Sequence, residues 1–243
     1  MPQSWLLPSL LILAFAASGC TMTKVLKPET AGTVDPARAK VLLLPLDVEL
    51  SELAGGGTLT PRADWTTTAR EHLEKAIGTR IANSKASHVA ADPALLSAES
   101  RHLQLFKLHE AIGESIYQHQ AGGPNGQLQV IPTLKFGFDW TLGESVRALK
   151  EETGANYALF VHVRDSYATA GRKVAMVGSL LVCGATGFCM PIGTGVRNAF
   201  ASLVDLNTGQ VVWFNRSYSE TGDLREADPA TKAMKAMLEG LPL

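Results

Sequence analysis

Residues 201–213 read ASLVDLNTGQVVW, two apolar runs on either side of Asn207-Thr208-Gly209. Asparagine followed closely by glycine in a short loop is typical of a type I turn with a glycine bulge, which joins two antiparallel strands. The sequence therefore predicts a β-hairpin with strands over 200–206 and 210–217. The other elements of the chain are placed outward from this hairpin.

Two short runs upstream predict a further part of the same sheet. Residues 41–46 (VLLLPL) and 157–163 (YALFVHV) are almost entirely apolar, which is typical of strands that are buried on both faces. A strand, a helical region and another strand form a parallel pair through a right-handed crossover. The helices of that crossover are expected to cover at least one face of the sheet.

The C-terminal stretch predicts a closing helix that begins at Asp228-Pro229. Its apolar residues recur at helical spacing and form one stripe, which consists of Ala230, Ala233, Met234, Met237 and Leu238. We therefore predict the α/β (α+β) class. The expected architecture is a small mixed sheet with a parallel strand-helices-strand crossover, a C-terminal antiparallel hairpin and a closing helix.

Capping signals locate the helices of the crossover. Thr60-Pro61 offers a hydroxyl N-cap and then a proline in the first turn, and Asp92-Pro93 repeats the signal for a second helical region that extends to about His119. Residues 141–144 (TLGE) fit a capping box for a third helix, which ends at Gly154. Residues 51–60 and 120–138 are predicted to be irregular. The apolar face of the first helix contains Trp65, Ala69, Leu73, Ala76, Ile77 and Ile81.

The first twenty residues indicate export from the cytoplasm. Residues 6–16 form an apolar run that is too short for a permanent membrane span, which needs ~20 residues. Small residues follow and lead to Cys20, as at the cleavage site of a signal peptide. The stretch ASGC (17–20) resembles the lipobox of bacterial lipoproteins, which implies that residues 1–19 are removed and that Cys20 carries a diacylglycerol. The alternative is an ordinary secretory signal with a chance cysteine.

The mature chain is expected to contain a tether and one folded domain. Residues 20–39 are polar and interrupted by Pro28, Gly32 and Pro36, which is typical of a flexible linker. Residues 40–243 are expected to form a single α/β periplasmic domain with a helical insert over 88–140. Thr21 follows the cysteine, and resemblance to lipoproteins of enteric-type bacteria implies sorting to the outer membrane.

One apolar, glycine-rich segment is unusual for a soluble domain. Residues 174–196 contain no charged side chain, and their number could span a membrane. Five glycines and Pro191 fit a transmembrane helix poorly. We expect a helix or hairpin buried inside the domain, and the alternative is a segment that inserts into a bilayer when subunits assemble.

The two cysteines in this segment predict a disulfide. Cys183 and Cys189 are six residues apart in a chain with an export signal, and disulfides persist in oxidising compartments. Two buried free thiols are the alternative. Two cysteines without a nearby histidine are an incomplete ligand set for zinc, so no metal site is predicted.

Other motifs give no catalytic, cofactor-binding or metal-binding residues. His109-Glu110 begins like a helical zinc-protease motif, but Gly113 stands where the second histidine would be, so His109 and His102 are interpreted as helix-surface residues. His162, Arg164 and Asp165 are interpreted as a polar network at the end of a strand. An envelope enzyme that uses His162 or Asp165 is the alternative. The net charge is −1, with 22 basic and 23 acidic residues, which argues against a nucleic-acid partner.

The order of elements resembles a group of envelope proteins. These are the curli secretion channel lipoprotein, the amino-terminal domain of the Tol translocation protein and the lipoprotein activators of peptidoglycan synthases. The stretch VDLNTGQVVW (204–213) is the most specific part, and the resemblance extends over 40–240 apart from 88–140 and 174–196. It implies a non-enzymatic, lipid-anchored module that contacts an envelope protein. The alternative is an oligomeric secretion or transport component of the outer membrane in which 174–196 inserts into the membrane.

Overall fold

Eight strands form one mixed sheet in the computed structural model, which describes residues 22–28, 34–96, 100, 102–122, 128, 137–189, 193, 195, 197–219 and 222–243. The strands are β1 (Met22–Leu26), β2 (Lys40–Leu43), β3 (Asp47–Leu53), β4 (Leu59–Pro61), β5 (Ser87–Ala90), β6 (Tyr157–Ala168), β7 (Arg197–Asp205) and β8 (Val211–Ser219). The helices are α1 (Ala63–Ala82), α2 (Leu103–His119), α3 (Arg147–Thr153), α4 (Ala170–Thr186) and α5 (Ala227–Met237).

The order of strands confirms the predicted mixed sheet. Neighbouring strands follow the order β1-β8-β7-β6-β2-β5, and β3 pairs with β6 and with β4. Strand β2 is parallel to β6, with Val41 opposite Tyr157, so the predicted parallel pair is present. Strands β7 and β8 form the predicted antiparallel hairpin. The sheet is larger than expected, since β1, β3, β4 and β5 join it from stretches for which the sequence analysis gives no strand.

The turn between β7 and β8 requires glycine for two reasons. Gly209 has φ 79°, in the region that other residues rarely adopt, and its N–H donates to the Asp205 carbonyl at 2.8 Å. A Cβ atom at this position would also overlap the backbone of Gly143. The Asp205 carboxylate accepts a hydrogen bond from Asn207 N at 2.7 Å, which fixes the start of the turn.

Helices cover both faces of the sheet. One apolar core lies between the sheet and helices α1 and α5, and the other lies between the sheet and helices α2 and α3. Of the predicted face of α1, Ala69, Leu73, Ile77 and Ile81 are buried. The whole predicted stripe of the closing helix is buried, with Leu238 as its C-cap residue. Because both faces are covered, β6 and β7 are apolar on both sides over most of their length.

Most of the predicted caps are wrong. Thr60 and Pro61 belong to β4, where Pro61 lies opposite Ser51, so α1 begins only at Ala63 and has no side-chain cap. The predicted loop over 51–60 is therefore a β3–β4 hairpin closed by the glycines 55–57. Asp92 caps only a short 3-10 turn, by accepting a hydrogen bond from Ala94 N at 2.8 Å.

The start of α3 also differs from the predicted capping box. The Thr141 hydroxyl accepts a hydrogen bond from Gly143 N at 2.9 Å and not from the first turn of the helix. Gly143 itself precedes a 3-10 turn that leads into α3. The predicted end of α3 is confirmed, since Gly154 has the left-handed conformation with φ 65°. The predicted end of α2 at His119 is confirmed as well.

The N-terminal residues lie largely outside the described part of the chain. Residues 1–21, including the predicted signal and Cys20, are not among the described residues, and neither are most of 123–136. Within the stretch predicted as a tether, Met22–Leu26 form β1, which pairs with β8. Among the described helices, none is long and apolar enough to span a bilayer.

Helix α2 comes close to the sheet at Gly113. A methyl group on Gly113 would overlap the ring of Phe200, a fully buried residue of β7. In contrast, nothing lies near the position of a Cβ atom on Gly78 in the middle of α1. These two helical glycines therefore form a matched pair.

We expect Gly113→Ala to lower the free energy of unfolding by about 1–3 kcal/mol, because the added methyl group overpacks the core. Gly78→Ala is the control and should raise the free energy of unfolding by about 0.5–1 kcal/mol, since alanine is the better residue inside an open helix. Urea denaturation followed by circular dichroism measures both. A Gly113→Ala protein as stable as the wild type would contradict this packing.

Candidate functional site

The most distinctive part of the molecule is the end of the sheet at which β6 ends and β7 begins. Three features lie there: a polar cluster on the α2 face, a buried ion pair on the α1–α5 face, and helix α4. The parallel register that places Asp47 opposite His162 positions the first feature. The antiparallel register that places Arg164 opposite Asn198 brings the start of β7 to the second.

The polar cluster ties β3 and β6 to α2. Asp47 Oδ2 lies 3.1 Å from His162 Nδ1, and Asp47 Oδ1 accepts a hydrogen bond from Arg164 Nη1 at 2.9 Å. The other guanidinium nitrogen lies 3.6 Å from Glu110 Oε1 on α2. Burial opposes ionisation of Asp47, but the hydrogen bonds from His162 and Arg164 hold its pKa well below the ordinary value.

The same cluster has the donor set of a metal site. Ligand atoms of Asp47, Glu110 and His162 all lie within 4.8 Å of one another. However, the Arg164 guanidinium already bridges both carboxylates, so a metal cation would have to displace it. The His162 ring is only 1% exposed and stacks on Phe200 at 4.6 Å between ring centroids. The arrangement therefore holds three elements together through the compensating charge of Arg164.

The two histidines interpreted as surface residues of α2 are buried, so that interpretation is wrong. His109 stacks on Phe160 at 4.8 Å, and its Nε2 lies 2.9 Å from Ser202 Oγ. Burial lowers the pKa of His109 to about 3, with a smaller contribution from the charge of His162. His102 Nε2 lies 3.1 Å from the Glu152 carboxylate. The sequence pattern indicates the burial of both histidines, because they share the helical spacing of the buried residues Leu105, Phe106 and Ile116.

The ion pair on the opposite face joins β6 to β7. Arg197 Nε donates to Asp165 Oδ2 at 2.8 Å, and both side chains are 4% exposed. Tyr167 donates its hydroxyl proton to the same carboxylate at 2.7 Å and accepts a hydrogen bond from Leu224 N. Burial raises the pKa of Asp165, whereas the charge of Arg197 opposes this effect. The sequence indicated Asp165 as part of a local network, but it gave no sign that Arg197, thirty-two positions later, is its partner.

A cavity of about 270 Å³ lies beside this ion pair. Its lining contains both positively and negatively charged side chains. The positive ones are Lys173, Arg197 and Arg225, and the negative ones are Asp165 and Asp223. Within it, Arg225 donates to Asp223 and stacks over the rings of Trp65 and Tyr167 at 4.3 and 4.4 Å. Four of these five charged side chains therefore form two ion pairs, Asp165 with Arg197 and Asp223 with Arg225.

Helix α4 is exposed, although the sequence predicted burial of this segment inside the domain. None of its seventeen residues is buried. Its root is held by the Thr169 hydroxyl, which accepts from Arg172 N at 3.2 Å, and by Arg172, whose guanidinium donates to the carbonyls of Ala54 and Gly193 at 3.2 and 2.7 Å. The large apolar side chains exposed in this region are Val174, Val177, Leu180, Leu181, Val182 and Phe188.

A disulfide joins Cys183 near the end of α4 to Cys189 beyond it. These are the two cysteines that the sequence singles out. Between them, Gly187 ends the helix in the left-handed conformation at φ 74° and donates its N–H to the Cys183 carbonyl at 2.8 Å. The bridge therefore turns the chain back at the tip of α4 and keeps exposed Phe188 beside it.

Comparison with known proteins gives no family assignment. No protein-family model matches the sequence, and no curated protein matches it. Among solved structures, the fold is similar to the PelC dodecamer from Paraburkholderia phytofirmans, with 12% identity, a TM-score of 0.41, and coverage of 90% of this chain and 95% of that chain. A variant PelC dodecamer from the same organism gives 14% identity, a TM-score of 0.39 and the same coverage. At these TM-scores the likeness supports no further conclusion about this chain.

Burial of His109 predicts a specific pH dependence of stability. Between the ordinary pKa of 6.5 and about 3, the unfolded state holds a proton that the folded state lacks, so acidification destabilises the fold. This one group contributes a slope of about 1.4 kcal/mol per pH unit. We expect His109→Gln to remove that slope between pH 6 and pH 4, as measured by urea denaturation.

His88→Gln, at an exposed histidine on β5, is the matched control and should leave the wild-type slope in place. The contribution of Asp47 falls in a different window, because its depressed pKa means that stability is lost only as the pH drops below the ordinary value of 3.8. If the free energy of unfolding of His109→Gln changed with pH as steeply as that of the wild type, the burial of a neutral His109 would be contradicted.

The disulfide is tested by alkylation without reductant, followed by mass spectrometry. We expect no label on Cys183 or Cys189 in the wild type and one peptide pair that stays linked. In Cys183→Ser, the exposed Cys189 should become labelled, which shows that the reagent reaches this tip. Two labelled thiols in the wild-type chain would exclude the bridge.

Proposed function

We propose that this chain is a lipid-anchored lipoprotein of the bacterial outer membrane that faces the periplasm and acts as a non-enzymatic interaction or assembly module. In this proposal, residues 1–19 are the cleaved signal and Cys20 carries the lipid. Residues 20–39 connect the lipid to the body and contribute β1 to its sheet, and residues 40–243 form one domain with a helical insert over 88–140. The domain works by contact and uses no cofactor.

The exposure of α4 is the observation that carries the proposal. Helices α1, α2, α3 and α5 each bury residues against the sheet, whereas α4 buries none. Its residues Val174 and Leu181 are 71% and 70% exposed, although soluble domains normally cover apolar side chains that cluster in this way. A contiguous exposed apolar surface is typical of a site that contacts a protein or a membrane. The function is therefore expected at this end of the sheet.

The buried polar residues also favour contact over catalysis. Each of the two buried networks connects elements of the fold. The first, formed by Asp47, His162 and Arg164, joins β3, β6 and α2. The second, the Asp165–Arg197 ion pair, joins β6 to β7. A catalytic base has to reach the reacting atoms. Of the two residues that the enzyme alternative offers, His162 is stacked on Phe200 and almost completely buried, and Asp165 is paired with Arg197 and its side chain is 4% exposed.

A lipid at Cys20 would give such a module its effect. Acyl chains contribute ~0.8 kcal/mol for each buried methylene group, so more than one chain forms an anchor that does not readily exchange. A short link then confines the domain to a thin layer above the leaflet. Its local concentration near envelope partners rises without any new contact.

A second candidate is an oligomeric secretion or transport component in which residues 174–196 enter the membrane. The exposure of α4 together with the absence of charge over 174–196 favours it. Chemical crosslinking in native membranes separates the two candidates. A ladder that ends at a closed ring favours the second candidate, whereas a monomer favours the first.

The anchor is tested by metabolic labelling with a fatty-acid probe. We expect the wild-type chain to be labelled and its mature N-terminus to be Cys20, and we expect Cys20→Ser to lose the label completely. Cys183→Ser is the control, because it removes a cysteine that the proposal leaves without lipid, and its labelling should equal that of the wild type. An unlabelled wild-type chain, or a mature terminus elsewhere, would overturn the proposal.

A further inference from the structure

The registers of four neighbouring strands place the N-terminal strand at the same end of the sheet as α4. Met22 in β1 lies opposite Tyr218 in β8, Tyr218 lies opposite Asn198 in β7, and Asn198 lies opposite Arg164 in β6. Strands in a sheet are ~4.8 Å apart, so about 14 Å separates Met22 from Arg164 across the sheet. From Arg164, β6 continues for only four residues before α4 begins at Ala170.

The length of the covalent chain limits the distance between a lipid on Cys20 and this end of the sheet. Cys20 precedes Met22 by two residues, and two residues of extended chain reach at most ~7 Å. If Cys20 carries a lipid, as the proposed function requires, the leaflet that holds the lipid has to lie against this end of the sheet. The opposite end, with the β7–β8 turn and the C-terminus of α1, then faces away from the membrane.

We propose that α4 is a second membrane contact and that its apolar side lies among the lipids of the leaflet in which Cys20 is anchored. This inference rests on the lipid anchor of the proposed function and names what the exposed helix contacts. The ligand is a lipid surface, and the contact is made by a helix that lies in the interface and does not span it.

The side chains of α4 fit that surface. With 3.6 residues per turn, the exposed residues Val174, Val177, Leu180, Leu181 and Val182 occupy more than half of the circumference of the helix. A surface helix that packs on a protein core normally has a narrower apolar stripe, of about 100°. Seventeen residues form a helix about 25 Å long, which is shorter than the ~30 Å hydrocarbon core of a bilayer.

The charges near α4 also fit a lipid surface. From Ala170 to Cys189 the only charged side chains are Arg172 and Lys173, both in the first turn. They place positive charge at the root of the helix, where phosphate groups of the lipids would lie, and no carboxylate follows to repel them. Beyond Lys173, only apolar, small or hydroxyl-bearing side chains and the disulfide remain.

The helix is already formed and fixed in place before any contact. The Thr169 cap and the hydrogen bonds of Arg172 hold its root, and the disulfide closes its tip. Membrane binding therefore does not have to order a disordered segment, which is one of the main costs of association. The closed tip also presents Phe188, which is 66% exposed, beside the end of the helix.

The experiment uses the full lipidated chain, reconstituted into vesicles of phosphatidylethanolamine with a minority of phosphatidylglycerol. A polarity-sensitive fluorophore is attached to Val177→Cys on α4 and, as the control, to Thr79→Cys, an exposed position near the C-terminus of α1. Some vesicles contain lipids with a nitroxide quencher. We expect the emission at position 177 to shift to shorter wavelength and to be quenched several-fold more strongly than at position 79.

A second variant shows whether the apolar side makes the contact. Leu181→Glu combined with Val177→Cys places a charge on an exposed position, so folding should be unaffected. We expect the quenching at position 177 to fall to the level at position 79, because burial of one leucine side chain corresponds to about tenfold or more in a partition equilibrium, and the glutamate removes that contribution. Mass spectrometry of the same samples reports whether Cys20 is lipidated.

The outcomes separate the two proposals. A lipidated chain whose label at position 177 is no more quenched than the label at position 79 overturns the lipid contact and leaves the anchor standing. The same is true if energy transfer between labelled copies, and not lipid quenching, appears at position 177, since a second copy then covers α4. A chain without lipid on Cys20 overturns the proposed function.

Discussion

The backbone pairing of β6 is the constraint on which the rest of the fold depends. On one side, its first residues pair with β2 and its later residues pair with β3, while β7 runs along its other side. The chain between β2 and β3 is bent at residues 44–46, with Leu44 and Leu46 buried, so that two short strands line up along one long strand. Helices cover both faces of β6, and its sequence is therefore apolar on both sides until it leaves the cores.

Polar residues on β6 appear where the strand leaves those cores, and each has a partner. Burying a charge without a partner costs several kcal/mol, and removing one member of a buried ion pair exposes that cost. Asp47 is therefore matched by His162 and Arg164, and Asp165 is matched by Arg197. The same logic explains why a metal-like donor set need not hold a metal, since the guanidinium of Arg164 supplies the compensating positive charge.

The sequence predicted the elements whose pattern is local, and it missed those that depend on a distant partner. The hairpin around Asn207-Thr208-Gly209, the parallel pair with β6 and the stripe of α5 follow from turn chemistry and periodicity, and the structure confirms them. The cap at Thr60 failed because backbone pairing with β3 recruits Thr60 into a strand. In the candidate site, Asp165 was visible as a polar residue at a strand end, but Arg197 comes from a different strand, and no local spacing links them. Burial of α4 was expected because apolar residues usually fill cores, whereas here both faces of the sheet are already occupied by other helices.

The occupation of both faces of the sheet leaves α4 without a place in either core. A helix that cannot find room on either face of the sheet has to be covered by something outside the chain, or it remains a liability for aggregation. Its root at the end of β6 and the start of β1 lie at one end of the sheet, and Cys20 can lie only a few ångströms from that start. A lipid anchor at Cys20 does not by itself account for the exposed apolar surface of α4. Without a membrane beside it, that apolar surface would be in contact with water. A leaflet against this end of the sheet resolves both difficulties at once, because the lipid that receives the acyl chains also receives the helix.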